Sequence, residues 1–306
     1  MRIGGGGAAQ SRRRCRRPCP RPAHTRGGRA VIRAWLRRHR AALVPGAVLG
    51  ALLILAAFAP LIAPYTFDAL DLARRRGAPS LHHLFGTDEL GRDLLTRSLY
   101  GARISLAIGL VSAALSAAIG VTVGAVAGFA GGIIDAALMR LTDAMLSVPR
   151  LPLLMIAAAV LEPSVPLLIT LVSAVGWMET ARVVRADVQS IAVRDFVTAA
   201  RATGARAPRI LLRHILPGVV PTIAVALTLS VGRGILLESA LSFFGVGVQP
   251  PTASWGNMLY QAQTTMSSEP WLGIFPGACI FLTVLCCNLL ASAAEPDVVA
   301  ARETRR

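Results

Sequence analysis

Six long apolar stretches dominate the chain, at residues 42–63, 104–129, 144–161, 164–178, 218–244 and 271–291. A helix needs about 20 such residues to cross the hydrocarbon core of a bilayer. The first, second, fifth and sixth stretches meet that length. The third contains Arg150, and the fourth is short unless it extends past Glu179. The expectation is an all-α, polytopic membrane protein with six transmembrane helices. Composition agrees: 54% of the 306 residues are hydrophobic and the mean hydropathy is +0.58, too apolar for a soluble domain of this size. Ala57-Phe58-Ala59 has the small-x-small pattern of a signal-peptide cleavage site. Pro60 follows it, however, and the apolar region exceeds the usual length, so the first run reads as an uncleaved span.

Charge is distributed unevenly. Thirteen arginines and no acid fall in residues 1–40, whereas the remaining nineteen arginines face sixteen acids. Residues 1–40, rich in Gly and Pro, read as a disordered Arg-rich cytoplasmic tail that holds the N-terminus inside or meets anionic lipid, rather than nucleic acid. Arg placement also sets the topology. Seven arginines lie between Arg182 and Arg213, and none lies in 151–180 or 245–275. The segment 182–217 is therefore expected inside and the two bare stretches outside, with both termini cytoplasmic; Arg74, Arg75 and Arg76 fall outside against the rule. The chain has no Lys, which excludes a P-loop and a Schiff-base lysine, so any ATP must be bound by another chain. Cys15, Cys19 and His24 lack a second ligand pair at zinc spacing. Cys279, Cys286 and Cys287 sit in the last apolar run as small hydrophobes. The five His are scattered, with no constellation for catalysis, so no catalytic, metal or cofactor site is expected.

Within the inner segment, "DFVTAARATGARAPRILLRHILPGVVPTI" (195–223) predicts a helix over 196–203, ended by Gly204 as its C′ residue. Pro208 suits the first turn of a second helix, and Pro217 falls near the next membrane entry. Ala199 and Ala200 leave one side of the first helix shallow enough for another protein to approach. In the second run Gly120, Gly124 and Gly128 form a small-residue ridge, read equally as a subunit interface or as packing within the chain. In "LFGTDELGRDLLTRSLYGARISL" (84–106), Thr87 is a candidate N-cap with Asp88 and Glu89 in the first turn. Asp93 and Arg97 stand one turn apart. An amphipathic outer-face helix through Thr87, Asp88, Gly91, Arg92 and Asp93 is expected, either a partner contact or a structural elbow. In "LLESALSFFGVGVQPPTASWGNML" (236–259), Trp255 suits interface depth. Glu238, Arg233 and Arg150 are ionisable groups within expected spans. Such residues are functional candidates by default, so they are the candidate pathway residues, the arginines suiting a substrate carboxylate; for Glu238, capping or bonding to a neighbouring helix is an equal reading.

Three blocks carry a resemblance. Thr198-Ala199-Ala200, Gly204 and Leu216-Pro217 fall at the spacing of the cytoplasmic coupling loop of permease subunits in binding-protein-dependent ABC importers, with Thr198 in place of Glu and His214 in place of Ile. The blocks 84–106 and 236–259, with Asn288-Leu289-Leu290, are similar to the C-type permeases of dipeptide, oligopeptide and nickel importers. The resemblance covers roughly residues 42–290; the Arg-rich head and the end of the chain depart from it. It implies a type I importer permease domain over 41–293, with a cytoplasmic tail over 294–306. It also implies a prokaryotic inner membrane, a homologous second permease, two ATPase subunits that use ATP and Mg, and an extracytoplasmic substrate-binding protein. This chain would be non-catalytic and bind no cofactor. The other class left open is a secondary transporter or channel subunit that needs no ATPase.

Overall fold

The computed structural model describes the backbone of residues 27–303 and the side chains of residues 42–294. Residues 1–38 and 39–306 form two units. Of the first, the described part is helical backbone from Gly27. The tail expected over 1–40 therefore lies outside the described residues up to 26. Its last part is helical instead, because 29–44 contains neither Gly nor Pro to stop a helix. Cys15, Cys19 and His24 also lie outside the described residues.

In chain order the helices are α1 (Gly27–Ala57), α2 (Ala59–Ile62), α3 (Leu94–Ala130), α4 (Gly132–Leu146), α5 (Arg150–Val160), α6 (Val165–Ala192), α7 (Asp195–Ala202), α8 (Ala207–Ile210), α9 (Leu216–Phe243), α10 (Trp255–Ala262) and α11 (Trp271–Glu303). Among the described residues there is no strand, only an isolated bridge between Thr87 and Asp93.

The all-α expectation is met, and four of the six expected spans, or five, are found among the described residues. Four helical bodies are long and apolar enough to cross a membrane: α3, α6, α8 continued into α9, and α11 as far as Ala294. A fifth would be α4 with α5, which are bent by 79° at the break between them. The third run is thus split: Pro149 disfavours helical backbone at Val148, and the chain turns there. Alone, the 11 residues of α5 are too short to span. The described apolar part of α1, residues 42–57, is likewise shorter than a full bilayer crossing. By contrast, α6 continues past Glu179 to Ala192, because nothing between Val165 and Ala192 breaks a helix after Pro166 in its first turn.

The centre is built on α3, α6 and α9, with α11 packed on α9. The ridge Gly120, Gly124 and Gly128 settles as packing within the chain. A Cβ at Gly120 would meet the Trp177 carbonyl, one at Gly124 the Ala181 carbonyl and one at Gly128 the Arg185 carbonyl, so α6 lies against bare α3 backbone. One apolar cluster joins Ile108 of α3, Leu154 of α5, Met178 of α6 and Leu241 of α9. A second, at the end where α6 meets α7, joins Ala125, Val184, Val188, Ile191, Val197, Ile210, Ile215 and Val219.

Candidate functional site

The loop end is shaped by local chemistry. Asp195 in the first turn of α7 and Arg201 in its last both oppose the helix dipole. Gly204 has φ +80°, and the Ala205 N–H donates to the Ala200 carbonyl at 3.1 Å while the Gly204 N–H donates to Arg201 at 3.0 Å. That pair of bonds is a Schellman ending with Gly204 at C′. A Cβ at Gly204 would meet nothing within 4 Å, so backbone conformation alone demands the glycine.

Pro208 opens α8 as expected, but Pro217 does not mark a separate membrane entry. Residues Leu211–Ile215 form a π-helical turn, closed by the Leu216 N–H on the Leu211 carbonyl, and α8 passes through it into α9. Pro217 has no N–H for the Arg213 carbonyl and its ring would crowd that group; the wider turn accommodates it.

One side of this loop is locked and the other is open. Val197, Ile210 and Ile215 are fully or nearly fully buried against α3, α6 and α9. At about 1.5–3 kcal/mol for each such side chain, the loop moves with the ends of those helices or not at all. Thr198 and Ala199 are exposed, Ala200 is half-buried, and Val193, Phe196 and Leu212 present apolar surface. Leu216 is half-buried and Pro217 exposed. The Arg201 guanidinium lies 5.6 Å from the centre of the Phe129 ring, fixing α7 to the end of α3.

A second constellation runs along α6. Arg185 forms a two-point ion pair with Asp135 of α4, one contact at 2.6 Å, and the Gln189 amide adds a bond at 3.1 Å. Arg182 meets Asp143 at 3.8 Å. Glu179 receives Arg150 of α5 on Oε1 at 2.6 Å and Arg233 of α9 on Oε2. Arg150 and Arg233, 83 residues apart in sequence number, therefore share one carboxylate and line one small cavity with Ser112, Ser116, Gly176 and Ser230. Glu179 was visible in the sequence only as a limit of the fourth run. A carboxylate inside an apolar stretch was the signal that it needed a partner.

Glu238 does not join them. It is fully buried, accepting from Ser105 at 3.0 Å and Ser242 at 2.8 Å, and Ser105 in turn accepts from the Trp255 N–H at 3.2 Å. Its role is to bind α3, α9 and α10 together, away from the cavity. Trp255 belongs to the same buried junction. The residue is wholly buried, with its indole N–H on the Ser98 carbonyl, at the start of a helix capped reciprocally by Ser254 and Asn257.

The outer-face helix is also corrected. Residues 86–93 form a tight turn, and the cap of α3 is Asp93, which accepts from the Thr96 N–H at 2.8 Å. Thr87 instead accepts from the Gly77 N–H at 2.7 Å and donates to the Arg74 carbonyl. Asp88 accepts from the Leu90 and Arg92 N–H groups, each at 2.9 Å, and from Arg92 Nε at 2.6 Å. Gly91, at φ +75°, ends any helix there. Arg97 reaches Asp88 at 3.5 Å rather than pairing with Asp93, which holds His83 at 2.9 Å. Thr87, Asp88, Arg92 and Asp93 are all buried, so this is an elbow rather than a contact face. Among the described residues no group of His, Cys, Asp and Glu could hold a metal ion.

Comparison with known proteins gives two family matches. Residues 120–299 match the family described as binding-protein-dependent transport system inner membrane component. Residues 31–79 match the N-terminal TM domain of oligopeptide transport permease C. Similar proteins include the glutathione transport system permease protein GsiD of Escherichia coli O6:K15:H31, 40% identical over 255 residues, or 83% of this chain and 84% of that protein. GsiD of Shigella flexneri serotype 5b is 41% identical over the same lengths. The oligopeptide transport system permease protein OppC of Bacillus subtilis is 35% identical over 254 residues, 83% of each chain.

Proposed function

The chain belongs to the binding-protein-dependent transport system inner membrane components, and on that premise we propose that it is the permease subunit of an ATP-driven importer of peptides or related small solutes. The names of its relatives, glutathione and oligopeptide permeases, support that solute class. In this reading the subunit pairs with a homologous second permease in the inner membrane and receives solute from an extracytoplasmic binding protein. Two ATPase chains using ATP and Mg dock on the segment 182–217, so that face and both termini are cytoplasmic. The chain itself catalyses nothing.

The observation that carries the reading is the two-sidedness of the loop end. Thr198, Ala199 and Ala200 lie on the open side of α7, where a partner groove can reach backbone, while Val197 on the other side is welded to α3, α6 and α9. A push on α7 is delivered to three helices at once. Gly204 sets the turn between α7 and α8, and the π-helical turn before Leu216-Pro217 carries α8 into α9. Alternating access is then a population shift driven by nucleotide at another chain.

The test is Gly204→Pro in the reconstituted complex. Pro fixes φ near −65° where +80° is needed, so the Schellman turn is lost. Solute-stimulated ATP hydrolysis is expected to vanish while the complex still co-purifies with its ATPase. Unchanged stimulation would refute the coupling role, and uptake by the permease chains with no ATPase present would refute the importer reading itself.

A further inference from the structure

Three ion-paired rungs climb one side of α6: Asp135 with Arg185, Asp143 with Arg182, and Arg150 with Glu179 and Arg233. The first two balance, one cation to one carboxylate. The third has two guanidinium groups on a single carboxylate. Both of those arginines line the small cavity between α3, α6 and α9, and so do three serines, but no acidic side chain does. Glu179 is not among the lining residues; its Oε1 takes Arg150 and its Oε2 takes Arg233.

An excess cation within spanning helices costs about 3 kcal/mol on insertion scales, and such a group is retained where it meets water or an anion. Each guanidinium carries five donors in a planar fork. Arg150 directs Nη2 to Glu179, and Arg233 directs Nη1 to Glu179 and Nε to the Leu229 carbonyl at 3.4 Å, so each keeps further donors for the cavity. Small residues keep the approach shallow: Ser112, Ala113 and Ser116 on α3, Gly176 on α6, Ser230 and Gly234 on α9.

We propose that this cavity binds a carboxylate of the transported solute, seated on Arg150 and Arg233, with Glu179 as the resident anion that yields Arg233 when the solute arrives. The site rests on the permease reading above and narrows it to solutes with a free carboxylate. Glu179 keeps the arginines paired when the cavity is empty and so sets a threshold for entry; Arg150 stays on Glu179 and keeps the triad from falling apart.

The test uses the complete complex in proteoliposomes, with trialanine and reduced glutathione as probes and the half-saturating concentration for ATP-driven uptake as readout. Arg233→Gln should raise that concentration about tenfold, the loss expected for one charge-assisted hydrogen bond, and Arg233→Lys should recover part of it. Glu179→Gln removes the competitor and should lower it, by about threefold. Opposite shifts are the mark of competition for one cation. The proposal is overturned if Arg233→Gln transports like the wild type, or if Glu179→Gln and Arg233→Gln shift in the same direction. It is overturned equally if neither Arg233→Gln nor Arg233→Lys assembles, which would make the triad a clamp. If the wild-type complex imports neither probe, the peptide solute class proposed above fails first and takes this site with it.

Discussion

The elbow before α3 and the loop before α9 both turn on a left-handed glycine, and they are built in opposite ways. At the elbow Gly91 has φ +75° and a Cβ there would collide with the Asp71 carbonyl; at the loop Gly204 has φ +80° and open space around it. Charged groups hold the elbow from within: Asp88 and Asp93 are buried and answer Arg92, Arg97 and His83. The loop is held by aliphatic side chains, and Arg201, Arg206 and Arg209 stay in the open. The elbow buries its charged groups, whereas the loop buries Val197, Ile210 and Ile215 and leaves its arginines, Thr198 and Ala199 exposed.

That contrast can be broken in four places. Gly91→Ala faces both an unfavourable φ and a collision with backbone, so a loss on the order of 4 kcal/mol is expected. Failure to recover folded protein in detergent would register it; a normal yield and melting point would show that the elbow is slack. Asp88→Ala strands buried Arg92 and Arg97 without their carboxylate, a change worth about 3–5 kcal/mol and visible as a large fall in melting temperature. Val197→Ala opens a gap under α7 and should lower stability by about 2 kcal/mol, with a matching loss of coupled ATP hydrolysis. Gly204→Asn is the mildest. Asn tolerates the left-handed region and nothing crowds the site, so a stability within about 0.5 kcal/mol of wild type is expected, against a loss of about 1–2 kcal/mol for Gly204→Ala. If Gly204→Asn proved as damaging as Gly91→Ala, the two turns would not differ in the way described.

Much of the loop was legible from residues alone, because its signals are local: Gly204 after a run of helix formers, and Pro208 at the next first turn. The elbow misled for an equally local reason. Thr87-Asp88-Glu89 fits the start of a helix and fits a side-chain-bonded turn, and only the crowding of Gly91 by Asp71, 20 positions earlier, decides between them. The third run hid its break at Val148-Pro149 behind continuous hydropathy, and α6 outran its apolar stretch because Arg182 and Arg185 found partners on α4. Glu238 and Glu179 could not be told apart by position in the sequence. One is answered by serines on α3 and α9, the other by arginines 29 and 54 positions away, and those meetings are made by packing.

The π-helical turn at Leu211–Ile215 leaves one residue more between α8 and α9 than an α-helix would use. Each residue of an α-helix advances about 100° around the axis. Trimming a single residue there would therefore swing α7 through more than a right angle about the span, pointing Phe196 and Ala199 at a different neighbour. The aim of α7 is set by that one surplus amide.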